Sequence, residues 1–159
     1  MASGVTKPTL YHHFGNKQGV LEALISRDAR PLLERLGNAT VYRNDLPLNL
    51  RHVVEVYLRF AAGRPSFYRL LASCYLAPPE SEAYRAGRSV HDRQHVLVEV
   101  MFEHAALDHG NMQGRARRYA HSFVGLVSTY LTLVLAGEVE VDDGLVHAIV
   151  HQFSYGIYS

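Results

Sequence analysis

The 159-residue chain has a single cysteine, Cys74, so no intrachain disulfide can form; a reducing cytoplasm is the expected compartment. Net charge is nearly absent as well, because 16 Lys and Arg face 15 Asp and Glu and leave +1. That balance excludes a strong field over the whole molecule, so contact with a nucleic acid has to come from a local basic patch. No apolar run is read as approaching a membrane span and no secretory leader is read at the start, so no membrane partner is expected. Nucleophile elbow, phosphate-binding glycine loop and metalloprotease signature are all missing. No catalytic residue, metal or cofactor is therefore assigned, and an enzyme is not expected. Strands are lacking too: the apolar residues at 139–141 are too few to outweigh the helical patterns around them. There is no internal repeat and no low-complexity tract. What is present is a hydrophobic share of 48%, enough for a substantial core. Ten histidines make the charge sensitive to mildly acid pH.

The chain is organised around its first stretch, Gly4-Val5-Thr6-Lys7-Pro8-Thr9-Leu10-Tyr11-His12-His13-Phe14-Gly15-Asn16-Lys17. It reads as turn, short helix, turn, helix start. Gly4 suits a tight turn. Thr6 is a good N-cap, and Pro8 falls in the first helical turn, where its missing N–H costs nothing. Val5, Leu10 and Phe14 can anchor one side. Lys7, Thr9, Tyr11, His12 and His13 then face outward or flank the helix, a donor-rich surface that suits the major groove of DNA. Gly15 ends the helix and Asn16 caps the next, with Lys17 in its first turn.

This stretch, continued by Val20-Leu21-Glu22-Ala23-Leu24, resembles the recognition-helix signature of the TetR (tetracycline-repressor-like) family of transcription regulators. The turn glycines, cap, aromatic and Lys fall at helix-turn-helix spacing. The likeness in motif covers the first two dozen residues; beyond them the chain resembles the family in helical layout alone. The resemblance implies a DNA-contact set of Thr6, Lys7, Pro8, Thr9, Tyr11, His12, His13 and Lys17. In it Lys7, Thr9 and His12 point to base edges, and Tyr11, His13 and Lys17 meet phosphates; helix packing is the other reading of His13. It also implies a ligand-responsive repressor that a small-molecule effector releases from operator DNA. In the family two helices precede the recognition helix, whereas Met1 stands about where the last turn of the second should be. A chain truncated within the helix-turn-helix is therefore expected. The alternative is a helical dimer that binds a small molecule and has lost DNA binding.

The remainder reads as helices at about 16–36, 48–62, 66–76, 81–109, 112–136 and from 142 or 143 onward. Pro31 should kink or break the first near Arg30, and Gly37-Asn38 should stop it. The fold class is thus all-α: a partial helix-turn-helix headpiece and connecting helix over 1–38, then a helical ligand-binding and dimerisation bundle over 39–159.

Several clusters are candidate sites. Tyr57, Phe60, Phe67, Tyr68, Tyr75 and Phe102 lie on helices that should enclose the middle of the body, where the resemblance places an effector cavity. With Leu71, Met101, His104 and Asp108 they form the expected ligand set, the aromatics offering apolar area with a polar handle. Plain core packing is the other reading of each aromatic. His104 and Asp108 share a face with Leu97 and Met101, so they must find partners or stay near solvent. His91, His95, Glu99 and Glu103 recur every four residues opposite Leu97 and Met101, and read as a solvated stripe more readily than as a metal site. His147 and His151 make a second such pair. Arg115, Arg117 and Arg118 read as a solvated helix end. Apolar residues on the last two helices exceed what one core can cover, and Gly125 permits close helix approach. A homodimer through Phe123, Val124, Val127, Leu131, Ile149 and Phe153 is expected, as a four-helix isologous interface.

If the headpiece is complete, operator DNA is the partner, and changing Lys7 or His12 to Ala should weaken operator binding by about 1–3 kcal/mol and random-sequence binding less. Gel-shift titrations on both DNAs read the difference; equal losses would remove the base-reading role.

Overall fold

Four helix starts are written into the sequence as side-chain caps. Oxygens of Asn16, Asp45, Ser81 and Asp142 accept from the backbone N–H of Gly19, Leu48, Tyr84 and Leu145, at 2.9, 2.9, 3.1 and 2.7 Å. Each satisfies a donor that the first helical turn leaves without a partner. The computed structural model describes residues 15–156. Among them are six α-helices: α1 Lys17–Ala39, α2 Leu46–Gly63, α3 Pro65–Leu76, α4 Glu82–Asp108, α5 Ala116–Ala136 and α6 Asp143–Tyr155. A 3-10 turn, Gly110–Met112, links α4 to α5. No strand occurs among the described residues, and the fold is all-α. The recognition stretch up to Phe14 lies outside the described residues, and with it every member of the expected DNA set except Lys17.

The long helix α4 is the axis of the body. It packs against α1 on one flank and against α3 and α5 on the others, while α2 bridges α1, α5 and α6. Fully buried side chains from five helices meet around it: Ile25, Leu32 and Leu36; Val53, Tyr57 and Leu58; Met101 and Phe102; Phe123 and Leu131; Ile149. Phe102, Phe123 and Phe153 form a ring cluster with centroid separations of 6.2, 5.9 and 4.8 Å. Tilted and edge-on pairs of this kind add to the burial of the rings themselves.

Three expectations are corrected here. Pro31 does not break α1, which continues to Ala39 through Gly37 and Asn38. The carbonyl that loses its N–H belongs to Arg27, an exposed residue, and burial of Ala29, Leu32 and Leu36 on the opposite side anchors the helix on both sides of the proline. The actual stop is at Thr40, whose hydroxyl donates to the Leu36 carbonyl at 2.8 Å. Buried Asn49 then ties the following loop down, its amide donating to the carbonyls of Ala39 at 2.7 Å and Val41 at 3.0 Å. The second correction is that α5 begins at Ala116, after a turn in which Gly114 takes φ +70°. The third is that α5, at 21 residues, is long and apolar enough to cross a membrane by length and composition. In the fold it is a bundle helix: Ala120, Phe123, Val127 and Leu131 are buried in the core, and Ser122, Ser128, Thr129 and Thr132 lie on its other side.

Helices α3 and α4 come close because position 87 has no side chain. A Cβ built on Gly87 would lie 2.7 Å from the Cβ of Cys74, inside van der Waals contact. Gly87→Ala should therefore destabilise the fold by about 1–3 kcal/mol, the usual penalty for overpacking, although alanine is the better helix former. Because the clash is between two Cβ atoms, Cys74→Ala should leave it in place and Cys74→Gly should relieve it. Urea unfolding of the two double variants separates these outcomes.

Candidate ligand-binding cavity

The side of α4 turned away from α1 faces a cavity of about 530 Å³. Tyr57 of α2 closes its floor. Tyr68, Leu71, Ala72, Tyr75 and Leu76 come from α3; His91, Gln94 and His95 from α4; and a strip from His121 to Leu135 from α5. Tyr57 is fully buried, while Tyr75 and Leu76 are exposed and frame the mouth. At one end Arg69 donates to the Leu135 carbonyl, tying α3 to α5. A more open groove between α1 and α4 holds Arg30, Glu34 and Arg93 and offers charge rather than enclosure.

Three imidazoles, of His91, His95 and His121, stand together on the polar wall. Tyr75 stacks on His91 with centroids 3.8 Å apart, His91 meets His95 edge-on at 4.4 Å, and His95 stacks on His121 at 4.3 Å. Burial, followed by the neighbouring imidazoles of His91 and His121, pulls the pKa of His95 down from 6.5 to about 4, against a small opposing pull from Asp92. Burial lowers His91 as well. At neutral pH His95 is therefore uncharged. Burial also drives the phenols of Tyr57 and Tyr68 well above their ordinary range, so both keep their protons. The hydroxyls of α5 are self-sufficient: Ser128, Thr129 and Thr132 donate to carbonyls of their own helix at 2.7, 3.1 and 3.1 Å. Two buried side-chain atoms have no hydrogen-bond partner among the described residues, the Tyr57 hydroxyl and His95 Nδ1. Both belong to cavity residues. Leaving such an atom unpaired costs about 1–3 kcal/mol, which an incoming polar group can recover.

The expected ligand set divides. Tyr57, Tyr68, Leu71 and Tyr75 line the cavity. Phe60 and Phe67 do not; they pack edge-on against each other at 6.1 Å. Met101 and Phe102 are core residues. His104 and Asp108 are exposed near the end of α4, where Ala105 and Ala106 are the buried residues, and Asp108 accepts from the Tyr42 hydroxyl at 2.9 Å. Phe123, Val124, Val127, Leu131 and Ile149, expected at a dimer interface, are buried inside the chain's own core, with Phe153 half-buried beside them. A second copy would meet the other faces of α5 and α6.

Among the cavity residues that the sequence pattern missed are His91, Gln94, His95 and His121. The expected solvated stripe is only half correct: His95 is buried and His91 half-buried, while Glu103 is exposed. Four residues wind about 400°, so each step moves the stripe about 40° around the helix. It starts in the cavity and ends in solvent. Among the described residues no group of three His, Cys, Asp or Glu is arranged to hold a metal ion. His147 and His151 lie on α6 with rings 5.7 Å apart, the first exposed and the second half-buried.

His95 makes stability depend on pH with a definite sign. Above 6.5 it is neutral folded and unfolded. Between 6.5 and about 4 the unfolded chain binds a proton that the folded chain refuses, so stability falls as pH falls, and below 4 the loss is complete. Allowing for water at the cavity mouth, the drop should be on the order of 2 kcal/mol. In urea titrations from pH 7.5 to 4, His95→Phe should lack that part of the slope.

Comparison with known proteins agrees with this architecture. Residues 2–24 match the family described as "Bacterial regulatory proteins, tetR family". Over 156 residues the chain is 27% identical to the HTH-type transcriptional activator FasR of Mycolicibacterium smegmatis, which covers 97% of this chain and 68% of that protein. The matched segment runs from the recognition stretch into α1, and the similarity to FasR continues through the helices that build the cavity. Both similarities support a transcription regulator of the tetR type.

Proposed function

We propose that this DNA-binding regulator responds to a small molecule bound in the cavity between α2, α3, α4 and α5. The observation that carries the reading is the continuity of α1. Its first residues belong to the family-matched segment, and its later turns pack along α4, the helix that brings His91, Gln94 and His95 to the cavity. A ligand that prefers one position of α4 biases α1, and with it the DNA-binding end. Lys17 fits the same reading: it stands at the N-terminus of α1, where a cation opposes the helix dipole unless an anion such as a DNA phosphate is close. In this reading residues 1–38 form the DNA-binding headpiece and connecting helix, and 39–159 the effector and dimerisation body.

The working form is a cytoplasmic homodimer, isologous through the outer faces of α5 and α6. It binds and does not catalyse. Ligand binding changes DNA affinity. Loss of DNA binding gives induction if the operator blocks the promoter and shutdown if the bound protein recruits polymerase. FasR is named an activator, so the repressor is one of two outcomes of the same mechanics.

A side chain can stand in for the ligand. Ala72 lines the cavity and is half-buried, so Ala72→Phe fills space there. The variant should alter affinity for DNA flanking the gene by about tenfold, within the 1–3 kcal/mol usual for coupled sites, while retaining wild-type helicity by circular dichroism. A folded variant with unaltered DNA affinity would refute the coupling.

A further inference from the structure

The cavity's chemistry narrows the class of molecule it can hold. None of its lining residues is Asp, Glu, Lys or Arg. A carboxylate, phosphate or ammonium group taken inside would leave water without a counter-charge, which is strongly unfavourable. The imidazoles do not supply one readily. His91, His95 and His121 stand ring to ring, so charging one raises the energy of charging the next, and His95 is 8% exposed. Most of the remaining wall is apolar or aromatic, from Leu71 and Tyr75 to Val124 and Leu135, and its other polar side chains, Gln94, Ser128, Thr129 and Thr132, donate to carbonyls of their own helices. Against that background two buried polar atoms are unpartnered, the Tyr57 hydroxyl and His95 Nδ1.

We infer that the cavity binds an uncharged, largely apolar ring compound carrying a hydroxyl or carbonyl group, which pairs with the Tyr57 hydroxyl and His95 Nδ1. The inference deepens the effector reading above and rests on it. A protonated Tyr57 donates to the ligand oxygen or accepts from its hydroxyl. Neutral His95 can present Nδ1 as donor or acceptor according to which ring nitrogen carries its proton. Hydroxyl and carbonyl ligands are thus both served, while a site built around polar partners discriminates against the analogue that lacks them.

Three probes with one skeleton test this by calorimetry at pH 7.5: naphthalene, 2-naphthol and 2-naphthoate. The expected order places 2-naphthol at least tenfold tighter than naphthalene, with 2-naphthoate weakest. Tyr57→Phe should cost 2-naphthol about tenfold and leave naphthalene unchanged. The same variant should fold at least as stably as wild type, since the hydroxyl it removes has no partner to lose. Equal affinity for naphthalene and 2-naphthol would overturn the polar pairing. Tightest binding by 2-naphthoate, with a buffer-dependent enthalpy reporting proton uptake, would overturn the uncharged class in favour of an acid that charges the histidines. Either result leaves the cavity as a ligand site. Failure of all three probes to bind would overturn the effector reading together with the inference. None of these outcomes depends on DNA binding.

Discussion

Everything in the body depends on how α4 is packed. It is buried between α1 on one flank and α3 and α5 on the others, and the absence of a side chain at Gly87 sets its distance from α3. Hydrophobic burial is nondirectional and gives no preference for one helix spacing over another. A backbone approach that admits no methyl group does, because its failure is steric and abrupt. The same helix therefore has two duties in one rigid element: it backs α1, whose first residues belong to the family-matched segment, and it presents imidazoles to a cavity on its other side.

That cavity is an exception in a well-satisfied molecule. The caps at Asn16, Asp45, Ser81 and Asp142 serve helix donors, and Asn49 serves two loop carbonyls. The α5 hydroxyls serve their own helix. Tyr57 and His95 alone among the described buried side chains are left with an unpaired atom. Folding tolerates such atoms at a cost, and a site that waits for a partner is the common reason for keeping them. The neutral state of His95 follows from the same low-dielectric setting, which penalises charge whether it comes from the protein or from a ligand.

Much of this was legible in the sequence. The caps, the glycine turns and the 3.6-residue periodicity gave six helices nearly at their true bounds, because those signals act within one or two turns of chain. Pro31 misled for a related reason. A proline's local penalty is real, but burial of Ala29, Leu32 and Leu36 outweighs it, and that burial is supplied by other helices. The candidate site is less legible. Tyr57, Tyr68, Leu71 and Tyr75 stand out in the sequence as aromatic and apolar residues of the middle helices. His91 and His95 wind away from Leu97 and Met101 and so resemble a solvated face, yet that angle is where α3 and α5 stand.

The sequence by itself determined the helical class, the helix starts and the likeness of its first residues to a DNA-reading element. All of these are functions of near neighbours along the chain. Only the tertiary structure decided which faces are covered. It put Phe123, Val127 and Ile149 inside one chain's core rather than between two, left His104 and Asp108 in solvent while Ala105 and Ala106 beside them are buried, and brought His121 of α5 onto His95 of α4. Periodicity fixes the angle between two residues on one helix, but what fills the space at that angle depends on helices far away in sequence.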